Sequence, residues 1–515
     1  MNYLFNIVNG MFASVVPVAD FLWDFPTNYA WYSSIPILGN FSVAFILLLG
    51  GGIYFTVKLR FVQVTHFKTG YKQLVNQKKS NVGASALSVF LLSLGMRIGA
   101  GNIVGVTGAV TLGGPGAIFW MWFSAFLGMS TAFGEATLAQ IYKERKGNEY
   151  VGGFTFYIQK IWGNKRAIGV GMCVIYLIYN MLSVPVHTFH VFTAMDSIVK
   201  ELTGATEAAA ASNYIIAAII VISLAVIAFG GVTRVTKVTD KAVPVMSLLY
   251  LFMVFILIIL NLNKVPLFFV SVFKGAFSPQ AVFGGAFGMA LSQGIKRGLL
   301  SNEAGMGTIT QASSIADANH PCEQGFVQAI GVFFDTIIIC SLTGFIITAG
   351  QLWTTNGNWE QLKLDKLATY LASIKELVPG TSFDTLFVVF SAIAFGLFAF
   401  TTLLGDLVFT EIAANKISQK ESFIKAMRFM GAIIFVPLGA LTVLAGLQLD
   451  NLWYVSDLIN VVLILINIPT MIAGRKIIIK AYDNYLNSNG KPFVSSDIGI
   501  ETDVWKEKGV KNNEN

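Results

Sequence analysis

Gly99-Ala100-Gly101-Asn102-Ile103-Val104-Gly105 lies inside a run from Arg97 to Glu135 that contains no charged residue between its ends. A stretch this long and apolar reads as membrane-spanning, since a span needs about 20 apolar residues. Three glycines and an Asn in its first half read as a helix that comes apart within the bilayer. Irregular backbone at that depth is tolerated only where protein buries it or where it lines a water-filled cavity. The segment is therefore a binding-site candidate. Further along the run stands Gly113-Gly114-Pro115-Gly116-Ala117-Ile118-Phe119-Trp120-Met121-Trp122, a second glycine-broken stretch.

The whole chain agrees with that reading. Of its 515 residues 55% are hydrophobic and only 12% are charged, with a mean hydropathy of +0.66. Soluble domains carry about 25% charge, so this is an all-α polytopic membrane protein. A net charge of +7 raises the question of nucleic acid, but the basic residues sit in short loops between apolar runs, as the positive-inside rule expects. No nucleic-acid partner is expected. Cys173, Cys322 and Cys340 show no metal spacing and read as packing residues. The stretch from Met1 to Asn40 has no Lys or Arg and so lacks the basic region of a cleavable signal; it reads as interfacial.

About eleven windows are apolar enough to span, near 41–57, 85–110, 117–140, 168–195, 213–232, 242–262, 280–297, 326–350, 385–408, 429–449 and 457–474. They are numbered here as spans one to eleven. Basic clusters such as Lys58–Arg60, Lys143–Lys146, Arg234–Lys241 and Lys416–Arg428 follow the odd spans, whereas Asp196–Glu207 and Asp450–Asp457 fall in alternate loops. That places the N-terminus outside and the C-terminus in the cytoplasm. The tail from about Tyr482 onward is polar and expected to be poorly ordered.

Span two holds the Gly99–Gly105 break. Span seven holds Gly284-Gly285, Gly288 and Ser292-Gln293-Gly294, ahead of Lys296-Arg297. Five spans separate the two, and five is odd, so two repeats of opposite polarity follow. Inverted repeats with paired discontinuous helices are how many secondary transporters hold substrate near the midplane. The alternative is that these glycines only let helices pack closely.

At these residues the chain resembles the alanine/glycine–cation symporters, also called the sodium:alanine symporter family. The resemblance rests on the Gly99–Val106 run, on Gly113–Trp122 with Ala125 and Gly128, and on Gly294-Ile295-Lys296-Arg297-Gly298-Leu299-Leu300-Ser301-Asn302-Glu303-Ala304-Gly305-Met306-Gly307 with His320-Pro321 and Asp335-Thr336. It implies a leucine-transporter-type (LeuT) fold, a 5+5 inverted repeat preceded by one helix, and sodium-driven amino-acid uptake. The domain organisation expected is an interfacial segment 1–40, a first helix 41–57, repeats at 85–262 and 275–474, and a cytoplasmic tail 475–515. Departures from the family pattern fall at Ser183-Val184-Pro185, at Gly152-Gly153-Phe154, and at Asp406, where a Trp is usual.

A zwitterionic substrate needs donors for its carboxylate and acceptors for its ammonium. The half-helix beginning at the first break presents N–H groups and a positive dipole end, so Gly99, Gly101 and Asn102 are candidates for the carboxylate. Ser183, Met289, Ser292, Gln293, Gly294 and Thr402 are expected on the other pocket walls. The fold resemblance suggests carbonyls of Gly95 and Ile98 with hydroxyls of Thr401 and Thr402 for one Na⁺, the coupling ion; Thr–Thr pairs also back-bond to their own helix. Arg97 and Asp406, charges near mid-membrane, are expected to pair as an inner gate. His187 and His190 share a helix face and read as polar packing or lining. Asp335 is expected to brace Lys296–Arg297, with a structural or a coupling role.

The leading reading is a sodium-coupled symporter in the cell membrane, the inner membrane of a bacterium, carrying a small neutral amino acid such as alanine or glycine. Alternatives are proton coupling or another amino acid such as glutamine or serine, and then a cation channel. No nucleophile–base constellation supports an enzyme. Partners are the substrate and the lipid bilayer; no obligate protein partner is expected.

Overall fold

The computed structural model describes residues 14–35, 38–75, 82–204, 210–277, 286–352, 365–378, 383–439, 450–488 and 490–506. It is nearly all helix; a two-stranded hairpin, Glu144–Lys146 with Glu149–Val151, is the sheet found among the described residues. Each of the eleven apolar windows holds helix. Among the described residues six helices are long and apolar enough to cross a membrane, and up to eight if each of two bent pairs is one span. The chain is a multi-pass membrane protein. Gly284-Gly285 and the end of the tenth window lie outside the described residues.

Span two runs from Ala86 to Arg97, capped by Ser85 Oγ accepting from the N–H of Ser88 at 3.1 Å. It stops at Ile98, passes through a short turn at Ala100–Asn102, and resumes from Val104 to Gly113. The two halves are bent by 57°. Glycine is a poor helix former, and Asn102 Oδ1 captures the Gly99 N–H at 2.8 Å, giving the backbone a local alternative to the helix. The expected break is present. Gly114, at φ +70°, and Pro115 then start span three (Gly116–Ile141).

Span seven differs from expectation. Ala286–Asn302 is continuous helix through Ser292, Gln293 and Gly294. The chain leaves helix afterwards, at Glu303 (φ +57°), Gly305 (φ +93°) and Gly307 (φ +80°), before Thr310–Ser314. Gly294 serves packing instead: a Cβ there would lie 2.4 Å from the Ala117 carbonyl oxygen and 2.6 Å from Trp120 Cβ. Small residues let membrane helices approach this closely.

Around these two interrupted segments, span four (Arg166–Thr203) packs along span nine (Phe383–Ala414), and span three lies against spans seven and eight. Span eight (Pro321–Gly350) contains a π-helical stretch, Phe333–Cys340, that carries Asp335. Such wide turns concentrate at functional sites. Span eleven (Asp450–Ala473) supports the Val16–Asp24 helix, whose Trp23 Nε1 donates to the Asp457 carbonyl at 2.8 Å.

Residues 490–506 of the tail pack against the helices, although the tail's polarity implied solvation. Trp505 Nε1 donates to the Gln140 carbonyl at 2.7 Å, the Phe493 N–H to Asn319 O at 2.9 Å, and the Arg145 N–H to Asp503 at 2.9 Å. Two buried aromatics, Phe493 and Trp505, anchor it where composition alone suggested solvation. Beneath it Lys143 Nζ donates to Ala316 O at 2.7 Å and lies 3.9 Å from the Tyr150 ring centre. Burial lowers the Lys143 ammonium from 10.5 to about 7, opposed by Asp317 and Glu323. The folded value is below the unfolded one, so between the two the unfolded chain binds the extra proton and stability rises with pH. The slope from this group is at most about 1.4 kcal/mol per pH unit. The unfolding midpoint of the Lys143→Met variant is expected to lose this rise between pH 7 and 10.5. An identical slope in both proteins would show that Lys143 stays charged when folded.

Candidate functional site

The two interrupted segments face one another across a cavity of about 460 Å³. Gly99, Ala100, Gly101, Val104 and Gly105 form one wall; Gln293, Lys296, Arg297, Leu300 and Glu303 form the facing one. Span four adds Tyr179, Ser183 and His187, span nine adds Thr402, and Lys366 stands in the lining near Gly108. The structure thus brings together Gly99, Gly101, Ser183, Gln293, Thr402 and Arg97 of the sequence-derived candidates. Gln293 Oε1 is buried without a hydrogen-bond partner among the described residues. A buried unpaired amide oxygen at a cavity is what a ligand ammonium would satisfy.

Other candidates stand elsewhere. Met289 is half exposed, and Met289, Ser292 and Gly294 are not in the cavity lining. Asn102 is fully buried behind the break, where its Nδ2 donates to Asp335 at 2.6 Å. Glu303 accepts from Thr308, which holds its carboxylate in the non-helical segment.

Of the positions suggested for sodium, Thr402 and Gly95 meet directly. Thr402 Oγ1 lies 3.2 Å from Gly95 O, 3.5 Å from Met96 O and 3.0 Å from Phe398 O. Thr401 Oγ1 is 3.1 Å from Phe398 O. A Cβ on Gly99 would fall 2.5 Å from Thr402 Oγ1, so only glycine admits this approach. Hard cations choose such neutral oxygens. Ile98 is buried at the end of the first half-helix, where carbonyls lose their helical partners.

Buried charges choose partners that the sequence did not disclose. Arg97 does not pair with Asp406; it donates to Asn302 O and to Gln328 Oε1, both at 2.9 Å, tying the end of the first half-helix to spans seven and eight. Asp406 instead faces His187 Nε2 at 3.6 Å. Lys296 and Arg297 are met by Asp457, at 3.1 and 3.9 Å, not by Asp335. Asp335 accepts from Asn102, from Ser301 at 2.8 Å and from Thr336 at 2.8 Å. Glu135, which closes the charge-free run, lies within span three, where it is buried and accepts from Asn467 Nδ2 at 2.7 Å. Asn467 Nδ2 also reaches Gly305 O at 3.0 Å, which steadies the second break. An isolated Glu within an apolar window was the available signal.

An interrupted pair of helices facing a cavity, within a nearly all-helical membrane protein, is the architecture of secondary carriers. Similarity places it further. The chain belongs to the sodium:alanine symporter family, whose profile matches residues 30–494. It is 32% identical to amino-acid carrier protein AlsT of Bacillus subtilis over 90% of this chain and 91% of that one. It is 34% identical to the "Probable sodium/glutamine symporter GlnT" of the same organism, over 85% and 87%. In fold it is similar to MhsT, crystallised with L-phenylalanine, with a TM-score of 0.52 and 15% identity over 84% of this chain and 94% of MhsT. MhsT has the LeuT fold, and the likeness carries the architecture alone. The family is one of transporters, and the protein is not an enzyme.

Proposed function

We propose that the protein imports a small neutral amino acid, alanine or glycine, together with Na⁺ across the cell membrane by alternating access. The observation that carries this is the cavity itself, with a glycine-lined half-helix start on one wall and Gln293 on the other. The N–H groups of Ala100 and Gly101 take the substrate carboxylate; the Gly99 N–H is engaged by Asn102. Gln293 Oε1 accepts from the ammonium. The Na⁺ takes oxygens from Gly95, Ile98, Thr401 and Thr402, one turn from the substrate carboxylate, so each ligand steadies the geometry that binds the other. The inverted 5+5 repeat, with the N-terminus outside, supplies the rocking element.

Side-chain selectivity follows from Gly105. It lines the cavity, and a Cβ on it meets nothing within 4 Å. Gly105→Leu is therefore expected to fold, to fill the space the substrate needs and to reduce alanine uptake by at least about tenfold, as a loss of about 1.4 kcal/mol would. Uptake at the parental rate would place the substrate elsewhere.

The deciding experiment is accumulation of labelled alanine in proteoliposomes with and without an inward Na⁺ gradient, with glycine, glutamine and serine as competitors. Sodium-dependent accumulation blocked by glycine is expected. Accumulation that ignores sodium, or glutamine as the dominant competitor, would overturn the ion or the substrate assigned here.

A further inference from the structure

Asp406 and His187 have no part in the sodium or amino-acid positions above, yet they form a buried titratable pair beside both. Asp406 is 1% exposed, and neither of its carboxylate oxygens accepts a hydrogen bond from the described residues. His187 lines the cavity, its Nδ1 also lacks a hydrogen-bond partner among the described residues, and its Nε2 is 3.6 Å from Asp406 Oδ2. That separation is too long for a hydrogen bond, and it leaves the two groups adjacent. The pair is placed by two helices in register: Asp406 is one turn past Thr402 on span nine, and His187 is one turn past Ser183 on span four.

We propose that Asp406 and His187 form a proton-binding site that titrates from the cavity and sets the affinity of the neighbouring sodium site. The proposal rests on the carrier reading for its consequence, not for its chemistry. With Asp406 ionised and His187 neutral the pair carries −1 in a site where the described residues offer the carboxylate no other donor. One proton from cavity water, passed through the imidazole, makes the pair neutral and lets it share a hydrogen bond; no other reactant is needed.

The surroundings do not supply that neutralisation. Span four presents Tyr176, Tyr179 and His190, and the second break presents Glu303, which adds negative charge. On span two, Arg97 is held by Asn302 and Gln328. Further along span nine, Glu411 is paired to Arg428 at 2.5 Å. Lys366 lies across the cavity, nearer His190.

Removing a negative charge one turn from Thr402 weakens attraction for Na⁺. Sodium affinity should therefore fall as pH falls, and the dependence should vanish with Asp406.

Infrared difference spectra of the reconstituted full-length protein, titrated from acidic to alkaline buffer, read the carboxyl directly and need no transport. The expected result is a protonated carboxylic-acid band that disappears on alkalinisation, is absent in Asp406→Asn, and titrates at a different pH in His187→Gln. A band that titrates unchanged in Asp406→Asn overturns the site. If Asp406→Asn does not fold, an unmoved titration in His187→Gln overturns it equally. In uptake assays, the sodium concentration for half-maximal alanine entry should rise about tenfold on acidification and stay constant in Asp406→Asn. A pH-independent sodium requirement in the parent overturns the coupling. A titrating Asp406 band in a protein that carries none of the amino acids tried upholds the proton site and defeats the symport reading alone.

Discussion

Replacing Thr402 by valine raises the sodium concentration for half-maximal uptake by about tenfold to a hundredfold while leaving the protein folded. The side chain is buried and valine keeps its shape, so the change removes one oxygen and little else. That oxygen lies within 3.5 Å of three backbone carbonyls from two helices. Its bond to Phe398 O is an ordinary back-bond within span nine, worth little net. Contact with a cation is worth more: interactions with charged groups contribute about 1.5–3 kcal/mol, and each 1.4 kcal/mol is a factor of about ten. Thr402→Ser keeps the hydroxyl and should restore the parental sodium curve. A valine variant with unchanged sodium dependence would remove Thr402 from the cation site.

Asp335→Ala is expected to abolish uptake and to lower the thermal unfolding midpoint, with a loss of about 3 kcal/mol or more. The carboxylate is wholly buried and accepts from Asn102 in the first break, Ser301 just before the second, and Thr336 beside it. It is the clasp between the two interrupted segments. Removing it strands three donors, and each stranded buried donor costs about 1–3 kcal/mol. Asp335→Asn separates shape from charge: it fills the space but turns an N–H₂ toward groups that already donate. Alanine and asparagine variants as stable as the parent would show that the two breaks are held by something other than this carboxylate. A stable asparagine variant without uptake would assign the negative charge to transport itself.

These residues show where a linear reading succeeds. The apolar windows hold helix, and among the described residues six to eight spans are long and apolar enough to cross a membrane, because hydrophobicity is a sum over neighbours in the chain. The Gly99–Asn102 break was legible for the same reason: glycines weaken the local helix, and an Asn three residues on can cap the freed N–H. Thr402 lies against the Gly95 carbonyl, two of the positions that the resemblance named.

The second break shows the limit. Ser292-Gln293-Gly294 looked like its counterpart, yet the helix runs through it and opens at Glu303–Gly307. A glycine can relieve a backbone or admit a neighbour, and only the presence of Ala117 and Trp120 against Gly294 decides for the latter. The charge partners were equally hidden. Arg97 and Asp406 lie near one another along their helices, but azimuth about each axis turns Arg97 toward span eight and Asp406 toward His187.

The sequence by itself determined a multi-pass helical membrane protein and its first discontinuity, because these depend on composition and on backbone preferences within a few residues. Only the tertiary structure decided which glycines pack and which interrupt, and which buried charge meets which partner. Those choices depend on helix rotation and on neighbours up to hundreds of residues distant, for which no local pattern stands in.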